Sequence, residues 1–214
     1  MSKNLVWGAL ILALVVLGAL VLPTSCKWQT TKTAIKHGDV LKSSIEDFEK
    51  NRQKLSESLI ENLEKAGSEL AAENPNLQKV SKDFEKEWSD IQSRYKKLKD
   101  DFGKVGESST AYFQQLNELS GQIRNEALKN EELAKNKELE ARWNITYQEA
   151  SVNVEKVTTV LEAGHDFHMV LVASSIRQKL EQNVEELNLI AAQAKELLAD
   201  LESFTQEGRK LVQG

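Results

Sequence analysis

The sequence contains few of the residues that interrupt helices or cross-link chains. Its 214 residues include two prolines, ten glycines and one cysteine, and 6% of them are aromatic. Because glycine and proline mark turns and aromatic residues favour strands, their scarcity disfavours architectures built from strands and turns. A single cysteine excludes an internal disulfide, so cysteine usage does not indicate the redox compartment. The length suits one domain with an anchor and is too short for two sizeable domains.

Acidic residues are absent from the first 36 positions, which contain four lysines. The rest of the chain has 33 acidic and 24 basic side chains, so the two parts carry opposite net charge. An acidic body lacks the clustered lysine and arginine that bind phosphate, which argues against nucleic acid as a partner. A basic flank beside an apolar segment suits anionic lipid head groups instead.

One apolar run is long enough to cross a bilayer. Leu5 to Leu22 contains 18 residues without a charged or strongly polar side chain, which corresponds to about 27 Å of helix. Trp7 lies near one end, and Lys27 and Trp28 follow the other end, as residues at membrane interfaces do. The run therefore predicts a single-pass membrane helix.

The same segment has features of a cleaved or lipidated leader. Pro23-Thr24-Ser25-Cys26 follows the apolar run, and small residues before a cysteine resemble a bacterial lipoprotein signal. Those signals usually have leucine three residues before the cysteine, where this chain has Pro23. The run also exceeds the 7–15 residues usual for a cleaved leader. We expect an uncleaved anchor, with lipidation of Cys26 as the alternative.

These features divide the chain into three parts. Residues 1–28 are assigned to a membrane anchor or signal segment, residues 29–38 to a juxtamembrane linker, and residues 39–214 to a helical bundle. The lysines after the span favour a cytoplasmic body, whereas the leader-like layout favours a body across the membrane. We expect a single-pass protein of the bacterial inner membrane with its body in the periplasm.

The body shows the periodicity of packed helices. Apolar residues recur at alternating steps of three and four, which predicts an all-α fold. The clearest seam consists of Leu77, Val80, Phe84, Trp88, Ile91, Tyr95, Leu98, Phe102 and Val105. We predict an elongated antiparallel bundle of three to four long helices with coiled-coil-like packing. Trp88 and Trp143 lie on seams, which favours core packing over a ligand cage. An earlier seam runs from Leu41 to Leu70, and Arg52 interrupts it.

Local residue chemistry predicts where the helices end. Pro75 lacks the amide hydrogen needed to continue a helix. Gly164 can adopt a positive φ, and Asp166 can cap the helix that follows. A further break is expected at residues 103–110, where two glycines and three hydroxyl residues disfavour helix. A bend at Gly121, or no bend at all, is the alternative.

Motifs that carry chemistry are scarce. The sequence has no Gly-rich phosphate loop, paired-cysteine motif or nucleophile elbow. His165, Asp166 and His168 form the one constellation, since histidines one helical turn apart can share a metal ion. Two histidines without a third ligand do not make a site. We therefore predict solvated histidines, no cofactor, no small-molecule substrate and no enzymatic activity, with metal-dependent activity at this pair as the least favoured reading.

Residues 124–142 depart from the seam pattern. The seam positions fall on Asn130, Ala134 and Lys137, although the segment is rich in helix-forming residues. A helix that is polar on every face either bridges through solvent or is not stable by itself. We expect a poorly buried helix there that contacts another protein. Deletion of residues 126–139, two heptads, would keep the seam in phase.

Some sequence runs support a likeness to a known group of proteins. They are Phe84-Glu85-Lys86-Glu87-Trp88, Tyr95-Lys96-Lys97-Leu98 and the run from Ile176 to Leu211. With the N-terminal segment, they resemble a family of bacterial cell-envelope proteins of unknown function that are N-terminally anchored and all-helical. The resemblance implies a cell-envelope location and offers no catalytic residues.

The expected function is structural. Long helices, a tether and an acidic surface favour a scaffold or spacer for partner proteins, or self-association through helix seams. The alternative is a ligand-sensing or regulatory helical bundle.

Overall fold

The computed structural model describes residues 25–177 and 183–213, with side chains for residues 36–177 and 185–212. Four helices occupy most of these residues: α1 (Ser25–Leu70), α2 (Leu77–Gly121), α3 (Glu126–Arg177) and α4 (Asn183–Gln213). The described residues contain no strand, which confirms the all-α fold. The chain divides into two units, residues 1–36 and residues 37–214, and the bundle described below is the second unit.

The second unit is an antiparallel four-helix bundle. Between neighbouring helices, residue numbers that rise along one helix fall along the other, and α4 packs back onto α1. The pairs that define this arrangement are Asn51–Asp101 and Lys65–Glu87 for α1 and α2, Tyr95–Val154 and Trp88–Leu161 for α2 and α3, and Glu49–Thr205 and Glu64–Lys195 for α1 and α4.

The predicted seams line the inside of the bundle, where large apolar side chains are almost fully buried. Aromatic rings gather in two places, each named here after its tryptophan. The Trp88 cluster comprises Phe84, Trp88 and Phe167. The Trp143 cluster comprises Phe48, Phe102, Phe113, Trp143, Tyr147 and Phe204. Both tryptophans therefore pack in the core, as predicted.

The predicted helix end at Pro75 is confirmed. Helix α1 ends at Leu70 and α2 begins at Leu77. Asn76 caps α2, because its side-chain oxygen accepts a hydrogen bond from the Lys79 amide at 3.0 Å. Proline and asparagine thus place this turn by their local chemistry.

The predicted break at residues 103–110 is wrong, since α2 continues to Gly121. The hydroxyl groups in this stretch donate to carbonyls of the preceding turn, as Ser108 does to Lys104 at 2.7 Å. Phe102 and Val105 are buried here, and burial of such side chains outweighs the cost of about 1 kcal/mol for each helical glycine.

The chain turns instead at the alternative position, directly after Gly121. Residues 122–125 connect α2 to α3. Asn125 caps α3, because its side-chain oxygen accepts the amides of Ala127 at 3.0 Å and Leu128 at 3.2 Å.

The predicted break at Gly164 is also wrong, because α3 runs through it to Arg177. A Cβ at Gly164 would overlap the Trp88 ring, whose Nε1 donates to the Leu161 carbonyl at 3.3 Å. The glycine therefore makes room for a ring rather than ending a helix. Asp166 lies exposed within α3 and does not cap a helix.

The last helix begins later than the seam pattern suggested. Helix α4 begins at Asn183, and residues 170–177 belong to α3. Ile176, assigned to the last seam from the sequence, is 77% exposed. Residues 178–182, between the two helices, lie outside the described residues.

The predicted membrane segment, Leu5 to Leu22 with Trp7, lies outside the described residues, as do the side chains of Cys26, Lys27 and Trp28. Within the described part of the chain, none of the helices has both the length and the apolarity to cross a membrane. Residues 29–38, assigned to a linker, are part of α1.

Candidate functional site

The histidine constellation is divided between the surface and the core. His165 and Asp166 are exposed on α3, whereas Phe167 beside them is fully buried. His168 is half-buried, and its ring stacks on Phe84 with the centroids 6.2 Å apart. Its Nε2 atom has no hydrogen-bond partner in the described part of the chain. The two imidazoles thus occupy different environments although they lie one turn apart.

In the described part of the chain, the histidine pair does not belong to a group of three or more possible metal ligands. Across residues 36–177 and 185–212, no three or more histidine, cysteine, aspartate or glutamate side chains are grouped so that they could hold a metal ion. His165 instead borders an open groove between α2 and α3. The groove also contains Tyr95, whose hydroxyl donates to the Val154 carbonyl at 2.9 Å. Tyr95 therefore joins the two helices.

A buried ionic network between α1 and α4 is the most prominent polar feature of the core. The Arg52 guanidinium donates to both carboxylate oxygens of Glu49 at 2.8 Å and to the Leu198 carbonyl at 3.0 Å. The Thr205 hydroxyl donates to Glu49 at 2.9 Å. Glu49 and Arg52 are only 7% and 5% exposed. The interruption of the first seam by Arg52 was the one sign of this network in the sequence.

The network keeps Glu49 ionised. Burial by itself raises the pKa of this carboxyl, but hydrogen bonds from Arg52 and Thr205 and the charge of Arg52 outweigh it, so the pKa lies below its ordinary value. A buried ion pair often adds little net stability, whereas loss of one partner leaves an uncompensated charge. We infer that the network sets the register of α4 on α1.

Asp101 extends this polar layer to α2. The carboxylate is 3% exposed and accepts hydrogen bonds from Asn51, from Lys104 at 2.7 Å and from Lys97 at 3.3 Å. Burial raises its pKa, yet these three donors bring it below the ordinary value. Because Asn51 and Arg52 are adjacent in α1, a single turn of α1 forms hydrogen bonds to both α2 and α4.

Residues 124–142 are poorly buried, as predicted. Within this segment, all of which the structure describes, Asn136 is the one buried side chain, and it donates to the Ser120 hydroxyl of α2 at 2.9 Å. Leu128 is 53% exposed. Trp143 lies against Gly208, close to where α4 ends at Gln213. The segment therefore extends past the described part of α4.

The chain matches no known protein family, no curated protein and no solved structure in the comparisons made. The resemblance to anchored, all-helical cell-envelope proteins thus remains an expectation from the sequence.

Proposed function

We propose that this protein is a membrane-tethered helical scaffold that positions partner proteins at the bacterial cell envelope. The observation that carries this proposal is the end of the hairpin formed by α2 and α3. Residues 124–142 are almost entirely helical, yet 13 of their 19 side chains are exposed and only Asn136 is buried. A helix with so little burial in its own bundle leaves most of its surface open for contact with another protein.

The rest of the bundle supports a spacer role. Helix α3 contains 52 residues, which corresponds to about 78 Å. The two aromatic clusters and the polar layer around Arg52 hold the four helices against each other over the part of α3 that α4 accompanies. A stiff rod of packed helices can set a distance between its two ends, which a flexible linker cannot do.

The tether is supported by the sequence. The apolar run from Leu5 to Leu22 has the length of a membrane helix, and lysines follow it. We place the span in the inner membrane and the body in the periplasm, in keeping with the leader-like layout. Lipidation of Cys26 would give the same tether by another route.

A ligand-sensing bundle is the alternative. An open groove of about 560 Å³ between α3 and α4 is lined by polar residues that include Asn153, Lys156 and Asp200. Asn153 already donates to Asp200 at 3.3 Å across the groove. Because these two side chains already bond to each other, they are less available to a ligand.

The proposal is tested by crosslinking in the native membrane, followed by partner identification. The variant lacks residues 115–121 and 126–132, one heptad from each arm of the hairpin, and keeps the turn at 122–125. We expect it to retain its helical circular dichroism spectrum and to lose the partners that the full chain crosslinks. As a control, Ile176→Ser changes an exposed residue of α3 outside the segment and should keep them. Equal recovery of the same partners by the shortened variant would refute the proposal.

A further inference from the structure

Helix α3 has a second seam on its outer face, which its own bundle does not use. The seam follows alternating steps of four and three, and all of its side chains are exposed: Ala127, Glu131, Ala134, Glu138, Ala141, Ile145, Gln148 and Val152. Ile145 is 62% exposed and Val152 is 54% exposed. Two large apolar residues one heptad apart on a solvent-facing seam are typical of a helix that packs against another helix.

The order of residues along this seam fits an antiparallel copy of the same helix. Small residues, Ala134 and Ala141, precede the large ones, Ile145 and Val152. If two copies cross with a two-fold axis at the level of residue 143, Val152 of each copy faces Ala134 of the other. In the same register, Ile145 faces Ala141. Each large side chain then meets a small one, which allows the two helices to pack closely.

The charged and polar residues favour the same arrangement. With the axis at residue 143, Glu149 of one copy lies between Lys135 and Arg142 of the other, and Glu138 faces Gln148. A parallel pair in register would instead bring Glu131 and Glu138 of each copy against the same residues of the other. Like charges directly opposite each other disfavour that pairing.

The matched contact ends at the next pair of facing positions, because two acidic residues would lie opposite each other there. This pair would place Glu131 of one copy against Glu155 of the other copy. Within one chain, Glu131 already pairs with Lys135 and Glu155 pairs with Lys99, both at 2.8 Å. The matched part of the seam therefore runs from residue 134 to residue 152.

We propose that two copies of this chain associate through the outer seam of α3, antiparallel and with the two-fold axis near residue 143. The matched part of the seam spans about 28 Å of helix about 12 Å wide, so the total buried surface is about 700 Å². An area of this size is typical of weak, reversible association. The inference goes beyond the proposed scaffold function and shares residues 134–142 with the segment that carries it. The two can fail independently, because the shortened variant that tests the scaffold lacks residues 115–121 and 126–132 and keeps the matched seam.

Disulfide trapping of the full chain tests the geometry. The background is Cys26→Ser, and the test variant adds Ala134→Cys and Val152→Cys. Within one chain these positions are about 27 Å apart along a single helix and cannot bond. In the antiparallel pair, position 134 of each copy faces position 152 of the other copy. Mild oxidation should therefore give a covalent dimer on a non-reducing gel.

The single variants provide the matched control. In the antiparallel pair, two copies of position 134 lie about 27 Å apart, so Ala134→Cys alone should give no dimer, and the same holds for Val152→Cys alone. In a parallel pair each single variant would crosslink to itself. Dimers from the single variants, or none from the double variant, would overturn the proposal.

A further substitution separates a specific contact from random collision. Ile145→Lys, added to the double-cysteine variant, should lower the dimer yield about tenfold or more, because it places an unpaired ammonium within the contact. Ile176→Lys, at an exposed position of α3 outside the seam, should leave the yield unchanged. Both positions face solvent within the bundle, so the fold should tolerate either change. Equal yields from the two variants would refute the specific contact.

Discussion

Glycines within the long helices of this protein differ in what they face. A Cβ at Gly164 would overlap the Trp88 ring, and a Cβ at Gly106 would lie 2.5 Å from the Tyr147 hydroxyl oxygen. At Gly103, apart from its chain neighbours and the adjacent backbone of its own helix, no described atom lies within 4 Å of the same added carbon. Gly164 and Gly106 therefore allow a neighbouring ring to approach, whereas Gly103 has no such role.

Alanine substitutions should separate these two situations. Gly164→Ala should lower the free energy of unfolding by about 1–3 kcal/mol, because it overpacks the Trp88 cluster. Gly103→Ala should raise it by up to about 1 kcal/mol through better helix propensity. Urea unfolding followed by circular dichroism measures both. Effects of the same sign would contradict the packing role assigned to Gly164.

The buried Glu49 carboxylate makes stability depend on pH. Its pKa is lowered in the folded protein, so the unfolded chain takes up this proton first as the pH falls. The stability that it contributes is therefore complete above the ordinary glutamate pKa and is lost as the pH falls through the folded pKa. Asp101 acts in the same direction, since its pKa is lowered as well.

Glu49→Gln tests this dependence. At pH 7 the variant should be less stable than the parent, because Arg52 loses its buried counter-ion. The difference should begin to shrink as the pH falls below the ordinary glutamate pKa, about 4.3, and should go on shrinking as the pH passes through the lower pKa of the folded carboxyl, because the parent side chain then becomes neutral as well. Urea unfolding at a series of pH values measures it. Glu57→Gln, at an exposed position, should stay within about 0.5 kcal/mol of the parent throughout. If the difference in free energy of unfolding between Glu49→Gln and the parent did not change with pH, ionisation of the Glu49 carboxyl would be excluded as its cause.

At the scale of the helices, the last turns of α2 and the first turns of α3 depend on each other. Ser120 of α2 accepts the hydrogen bond from Asn136 of α3, and Leu116 and Leu139 are partly buried beside the core. The deletion suggested by the sequence, residues 126–139, would shorten α3 alone and leave the end of α2 unpaired. Shortening both arms of the hairpin keeps the remaining layers in contact.

Two deletions of equal length test this dependence. Removal of residues 126–139 should lower the melting temperature more than the paired removal of 115–121 and 126–132, because the first exposes apolar groups of α2 that α3 covers. Both remove 14 residues, so chain length is controlled. Thermal unfolding by circular dichroism gives the comparison. Equal melting temperatures would mean that the two helix ends are independent.

At the scale of the whole molecule, the proposed tether predicts where the protein fractionates. The full chain should sediment with membranes and resist alkaline extraction, because 18 apolar residues favour the bilayer interior. A variant that lacks residues 1–24 should be recovered in the soluble fraction. Recovery of the full chain in the soluble fraction would contradict the tether.

Cys26→Ser distinguishes the two routes to the membrane. The variant should stay with the membrane if the segment is an uncleaved helix. It should leave the membrane if a lipid on the cysteine is the anchor. Membrane fractionation followed by an immunoblot distinguishes these two outcomes.

The residues by themselves determined that the chain folds into long helices, which faces of those helices are buried and where a polar segment lies. Leu77 to Val105 formed the predicted seam, Pro75 marked a helix end, and residues 124–142 were poorly buried, as expected. Each of these depends on periodicity or on backbone chemistry within a few positions, which a sequence displays directly.

Only the tertiary structure decided which glycines interrupt a helix and which polar residues meet in the core. Gly121 is followed by a turn and Gly164 is not, because the Trp88 ring packs against Gly164 from another helix. Arg52 meets Leu198, and Glu49 meets Thr205, across sequence separations of 146 and 156 residues. Contacts over such distances depend on how the helices pack, and no local pattern encodes them.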